Sequence, residues 1–234
     1  MNLLLLEPDQ LQGDRAQVSD ARRLRHVQAH LRLQVGDTLK VGVRDGQKGT
    51  GRVAHLDAEY LQLDKVVLDQ HPPAKRPVTL ILALPRPKVL RRVVMDAVTL
   101  GVERLILLHS LRVEKSYWQT PFLQQLDEFI LLGLEQAGDT VWPELLLRKR
   151  FKPFVEDELP GLCAGRLGLV AHPYALEPMP AQVNQPVTLV IGCEGGFIPY
   201  EIDLLAKHGC QPVSLGPRIL RTETAMAHVL GRLG

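Results

Sequence analysis

The sequence predicts an α/β protein in two parts, a β-rich segment over residues 1–72 and a mostly parallel α/β domain over residues 73–234. Three observations predict it. Apolar residues recur with period two before residue 70, three prolines fall within His71–Pro77, and strand-length apolar runs alternate with helix-period segments afterwards. In the first part Thr38–Val43 alternates, Arg44–Gln47 is a turn, and Gly51–Leu56 and Tyr60–Leu68 are further strands. Ala21–Leu33 reads as a helical or irregular insert. The prolines fix φ and remove donors, so neither helix nor ladder passes through them.

The period then changes. Val78–Leu84 is an apolar run broken only by Thr79, which suits a strand buried on both faces. Val89, Leu90, Val93, Val94, Ala97 and Leu100 follow at helical spacing, with Gly101 as the stop. Arg104–Leu108 is a second buried strand, and Phe122 to Ala137 carries a second helix. Leu145–Leu147, Leu167–Ala171 and Val187–Ile191 read as strands. A helix follows from Pro199 to His208, then a strand at Val213–Leu215 and a last helix from about Ile219.

Composition excludes several classes. The chain is 45% apolar and 23% charged, which rules out wholesale disorder. Its apolar runs are too short to cross a bilayer. The opening residues lack a basic n-region, so a cytoplasmic protein is expected. Three cysteines without CxxC spacing argue against a disulfide framework or a zinc site. His26 and His30 stand four apart among arginines, a pair insufficient for a metal. A net charge of +2 means that any nucleic-acid contact rests on a local patch. Arg22, Arg23, Arg25 and Arg32 form the candidate, read either as a phosphate-facing surface or as a solvated face.

Two strand-to-helix junctions carry the chemistry. Ile191–Phe197 (IGCEGGF) places glycines at a strand's carboxyl end, where open α/β sheets bind ligands and a backbone must come close. It is neither GxGxxG nor a P-loop. Leu215–Ala225 (LGPRILRTETA) sets two arginines, two threonines and a glutamate at the start of the last helix. Thr222 and Glu223 read equally as caps, and Arg218 and Arg221 as surface. Two such junctions after consecutive strands favour one shared pocket. No GxSxG elbow accompanies His109-Ser110, and nothing activates Cys193.

These junctions resemble the IGPEGG(F) and LGxRILRxETA signatures of the ribosomal small-subunit RNA uridine-N3 methyltransferases of the SPOUT class, the RsmE family. The likeness runs along the chain: Leu31–Asp37 is similar to VLRxxxGD, Gly101-Val102 to the end of ELGV, and Glu135-Gln136 with Pro143 to EQxxRxxxP. It implies an N-terminal PUA-like β-barrel and a C-terminal α/β domain tied in a trefoil knot. It also implies S-adenosylmethionine held in the knot, and a homodimer. Under this resemblance Gly192, Gly195, Gly196, Leu215, Gly216 and Leu220, with Thr222, cradle the cofactor. Arg221, with Arg218 second, stabilises charge on the uracil, since a guanidinium stays charged and donates in parallel pairs. Glu194 or Glu223 accepts the proton or orients its neighbours. Small-subunit ribosomal RNA lies with its phosphates on Arg22, Arg23, Arg25 and Arg32.

The chain departs from the family pattern at Cys193, which replaces a proline. Asp96 and Thr99 stand in place of lysine and glutamate, and Asp139 in place of arginine. Two alternatives follow from the departures: methylation of a different RNA position, and an inactive RNA-binding or assembly factor.

Overall fold

The computed structural model describes residues 2–234, except for the His30 side chain. The chain divides into two compact units, Met1–Ala74 with Leu131–Trp142, and Lys75–Ile130 with Pro143–Gly234.

The first unit holds β1 (Leu4–Leu6), β2 (Leu11–Gln12), β3 (Arg15–Val18), α1 (Ala21–His26), β4 (Thr38–Val43), β5 (Lys48–Leu56) and β6 (Leu61–Gln70). The strands form one sheet in the order β1-β4-β5-β6-β3-β2. Only β1–β4 is parallel; the other pairs are antiparallel. The period-two residues Leu39 and Val41, Leu61 and Leu63, and Ala16 and Val18 all enter one core. Register shifts in the β5–β6 pairing mark bulges, which bend and twist a sheet. The predicted insert is α1 plus a π-turn, Val27–Leu31. Asp20 caps it by accepting from the Arg23 N–H at 2.8 Å, and Leu24 and Val27 pack into the core. Periodicity missed β1–β3. Leu4–Leu6 is buried at every position, so it does not alternate, and β2 has only two residues.

The segment Leu131–Trp142 completes this unit. The Glu135 carbonyl accepts from the N–H groups of Asn2 and Leu3 at 2.8 and 3.1 Å. Its side chain is 1% exposed and lies 3.6 Å from both the Arg22 and the Arg23 guanidinium. Burial pushes the Glu135 carboxyl up, and the two arginines oppose that shift. The Arg44 guanidinium sits 3.9 Å over the Trp142 ring, and the Trp142 N–H donates to Asp45 at 2.7 Å.

The second unit holds β7 (Arg76–Ala83), α2 (Pro87–Thr99), β8 (Val102–Leu108), the start of α3 (Leu126–Ala137) and β9 (Glu144–Arg148). A helical stretch follows as α4 (Phe151–Pro153), a π-turn (Phe154–Glu158) and α5 (Leu159–Cys163). Then come β10 (Leu167–Ala171), β11 (Val187–Ile191), α6 (Pro199–Lys207), β12 (Gln211–Val213) and α7 (Thr222–Leu233). The sheet order is β12-β10-β11-β7-β8-β9, and every pair is parallel. All six carboxyl ends therefore share one edge. Leu80, Ile81, Leu82, Leu189 and Val190 are 0% exposed, which explains the nearly continuous apolar runs of β7 and β11, each carrying one buried threonine, Thr79 and Thr188.

Most observed boundaries differ from expectation by a few residues, and those after β11 bear on the site. The last strand ends at Val213, and α7 begins at Thr222 because Arg221 is still extended (φ −67°, ψ 154°). The helical stretch Phe151–Cys163 was not predicted. Pro160 falls in the first turn of α5, where a missing N–H costs little. No helix among the described residues is long and apolar enough to cross a membrane.

Candidate active site

Three loops at the carboxyl ends of adjacent strands enclose a pocket of about 310 Å³. They follow β10 (His172, Pro173, Tyr174), β11 (Gly192–Phe197) and β12 (Leu215–Thr222); Arg112, beyond β8, and Ala225 of α7 complete the wall. The volume lies at the lower end of the range for small-molecule sites.

The glycine loop is shaped by its own sequence. The Gly196 N–H donates to the Cys193 carbonyl at 2.8 Å, closing a turn. Gly196 follows at φ 68°, a conformation that a side chain disfavours. A Cβ on Gly192 would lie 3.0 Å from Gly196 Cα and 3.2 Å from its carbonyl carbon, so only glycine lets the two limbs close. Thr222 is 4% exposed, and its hydroxyl donates to the Gly192 carbonyl at 3.3 Å, tying the third loop to the second. The Glu194 carboxylate accepts from the Arg86 N–H at 3.1 Å, which fixes the loop against the entrance to α2.

The pocket wall brings together Gly192, Glu194, Gly195, Gly196, Leu215, Gly216, Arg218, Leu220 and Thr222, all chosen from sequence. Arg221 is not in the wall. It stands exposed at the cap of α7, so the nearer of the two motif guanidiniums is Arg218. Glu223 is also outside the wall, and its charge acts on Asp96 of α2. Burial chiefly, and then the Glu223 charge, pushes the Asp96 carboxyl up, while Arg92 pulls it down. Of the two candidate acids, only Glu194 faces the pocket.

Sequence reasoning missed His172–Tyr174 and Arg112. The first had a signal: Leu167–Ala171 was read as a strand, and a parallel strand must deliver its loop to the same edge. Burial lowers the His172 pKa, favouring the neutral ring, and Tyr174 meets that ring edge-on at 5.6 Å. Burial pushes the Cys193 thiol up, so it is not activated.

The arginine patch of the first unit needs correction. Arg23 is 5% exposed and is directed at Glu135, so its guanidinium serves the interior. Arg22 shares that carboxylate, whereas Arg25 and Arg32 are exposed. The His30 side chain lies outside the described residues, among which no metal-binding cluster occurs.

The donor set suits a nucleoside-bearing amino acid. Ile191, Leu215, Ile219 and Leu220 offer apolar surface to a planar base, and three loop backbones offer amides and carbonyls. S-Adenosylmethionine has this make-up, and the residues fit it.

Comparison with known proteins agrees with this chemistry. The family described as RNA methyltransferase domain matches residues 72–234. A protein named ribosomal RNA small subunit methyltransferase E from Treponema pallidum is 28% identical, over 96% of this chain and 87% of its own length. A namesake from Synechocystis is 30% identical, over 98% of this chain and 76% of its own. Among solved structures, a Legionella pneumophila methyltransferase in complex with bound S-adenosylmethionine has a TM-score of 0.80 at 25% identity, covering 98% of this chain and 95% of that one. A Neisseria gonorrhoeae ribosomal RNA small subunit methyltransferase E shares the fold, with a TM-score of 0.79 at 21% identity, covering 99% of this chain and 95% of that one.

Proposed function

Because the chain belongs to the RNA methyltransferase family, in its ribosomal RNA small subunit methyltransferase E group, we propose that it methylates N3 of a uridine in small-subunit ribosomal RNA. The observation that carries the reading is the pocket formed by the IGCEGGF and LGPRILRTETA loops at one sheet edge.

When bound, S-adenosylmethionine supplies an electrophilic methyl whose bond to sulfur breaks as the uridine nitrogen bonds to carbon. The chain's residues do the rest. The backbones of Gly192, Gly195, Gly196, Leu215, Gly216 and Leu220 hold the cofactor, and Thr222 keeps two of the loops joined. Glu194 takes the N3 proton, with one oxygen anchored by the Arg86 N–H. A guanidinium beside the base stabilises the charge that then spreads to its carbonyl oxygens.

The finer architecture belongs to the same proposal. The first unit acts as a PUA-like RNA-binding barrel, supported by its bulged, largely antiparallel sheet. The second is a trefoil-knotted SPOUT domain, supported by the return of β12 to the far side of β10. A second copy of the chain covers Tyr174, Leu176 and Ile219, apolar side chains that are 76%, 97% and 74% exposed near the pocket. The protein works in the cytoplasm, where its RNA is.

The test has two steps. Calorimetry with S-adenosylmethionine should show binding. Transfer of tritium-labelled methyl to small ribosomal subunits from a strain lacking the gene should then yield N3-methyluridine on nucleoside mass spectrometry. Label in another nucleoside moves the target position. Cofactor binding without transfer makes the chain a non-catalytic factor.

The RNA-facing surface of the first unit reduces to Arg25 and Arg32. Changing both to Ala should weaken RNA binding and flatten its salt dependence. The slope of log affinity against log salt should fall by up to about 1.8, two phosphate contacts' worth. Filter binding over a salt series reads this directly, and an unaltered slope returns the patch to solvent.

A further inference from the structure

We infer that Arg112 is the guanidinium that contacts the acceptor nucleotide and stabilises its negative charge during transfer; this rests on the RNA methylation proposed above. Arg112 comes from the loop after β8, yet it reaches the pocket built by the three loops after β10, β11 and β12. It therefore occupies the side of the pocket nearest β8, opposite in origin to Arg218.

Its placement is fixed from below. Ser110 is 0% exposed, and its carbonyl accepts from the Val113 N–H at 3.0 Å, closing a turn around residues 111 and 112. The Leu111 N–H donates to Glu201 Oε1 at 2.8 Å, and Glu201 Oε2 accepts from the Ile198 N–H at 3.0 Å. Glu201 is 3% exposed, so this carboxylate joins the Arg112 loop to the entrance of α6, next to the glycine loop. The Arg112 side chain then lies along Gly195. A Cβ built on Gly195 would be 3.2 Å from Arg112 Cβ and Cδ, and Arg112 Nη1 donates to the Gly195 carbonyl.

One nitrogen is thus committed, and the residue is exposed where it lines the pocket. Among the described residues Arg112 makes no ion pair, so its charge is not cancelled by a bonded carboxylate. The acid facing the same pocket, Glu194, is held by the Arg86 N–H instead. A cation that is oriented before substrate arrives needs no reorganisation when charge develops, which is where such donors contribute most. Arg218 also lines the pocket, but among the described residues no hydrogen bond orients its side chain. An anionic uracil, with charge on the oxygens flanking N3, presents the acceptor chemistry that a planar guanidinium matches.

The experiment compares wild type, Arg112→Lys and Arg112→Ala on small ribosomal subunits from a strain lacking the gene. Three readouts are taken: S-adenosylmethionine affinity, single-turnover methylation, and the pH dependence of that rate. Arg112→Ala should lose about 100-fold in rate at neutral pH, the scale for one preorganised donor. Its rate should keep rising to higher pH than wild type, because N3 deprotonation loses its stabilising charge. Cofactor affinity should stay within about threefold, and Arg112→Lys should recover part of the rate. Cofactor affinity that falls in step with rate, with an unshifted pH profile, would make Arg112 a strut for Gly195 and overturn the inference. A near-normal rate in Arg112→Ala overturns it as well. Absence of methyl transfer by the wild type overturns the RNA-methylation reading itself, a result distinct from any variant effect.

Discussion

Gly196→Val is expected to weaken S-adenosylmethionine binding tenfold or more, about 1.4 kcal/mol, in a protein that still folds. Gly196 sits at φ 68°, where an L-residue costs about 1–2 kcal/mol and a β-branched side chain is least tolerated. No protein atom lies within 4 Å of a Cβ built there, so the penalty is conformational and not a clash. To relieve it the turn closed by the Gly196 N–H and the Cys193 carbonyl must open. Gly192 packs on that same backbone, so the distortion spreads through the wall of the pocket. Asparagine tolerates the left-handed region better than other side chains, so Gly196→Asn should keep most of the affinity. Calorimetry on both variants, with thermal melting as the control for folding, decides the matter. Unchanged affinity in a folded Gly196→Val protein removes the glycine loop from the cofactor site.

Glu135→Ala should cost about 3 kcal/mol or more of stability in the first unit. The substitution deletes a carboxylate that is 1% exposed and leaves the Arg23 guanidinium, 6% exposed, without its partner. Removing one member of a buried pair strands the other charge, and that stranded charge accounts for most of the loss. The Leu5 N–H also loses an acceptor at 3.5 Å. Trp142 belongs to the same unit and Trp118 to the other, so urea unfolding followed by tryptophan fluorescence in a Trp118→Phe background reports on the correct part. A midpoint equal to that of the parent would mean that Glu135 contributes nothing net, its desolvation offsetting its ion pairs.

The sequence displayed the second unit well because parallel strands buried on both faces leave nearly continuous apolar runs, as in Val78–Leu84 and Val187–Ile191, each with a single threonine. Both glycine-bearing junctions were visible for a related reason. Close backbone approach demands glycine, and glycine is recognisable without a structure. What stayed hidden was non-local. Arg22 and Arg23 look like surface until Glu135, over a hundred residues away, is seen to claim them. Arg112 looks like any loop arginine until Gly195 is seen beneath it. Arg221 and Arg218 lie in one motif, and a motif does not show which of its side chains will line the pocket; Arg218 does. The strand β1 escaped because it is buried at every position and β2 because it has only two residues, while β3 does alternate, but over four residues only.

The pocket's three loops all come from the last third of the chain, and α7, which supplies Thr222 and Ala225, is its final element. Met226, Val229 and Leu230 of α7 are 0% exposed, and the side chain of Arg76, at the start of β7, donates to the Leu230 and Gly234 carbonyls. The first strand of the unit is therefore clasped to its last helix. Such long-range closure slows folding, since the loop entropy is lost before the contacts repay it. During synthesis β7 to β11 emerge before the segment that closes the pocket, so cofactor binding awaits the docking of α7.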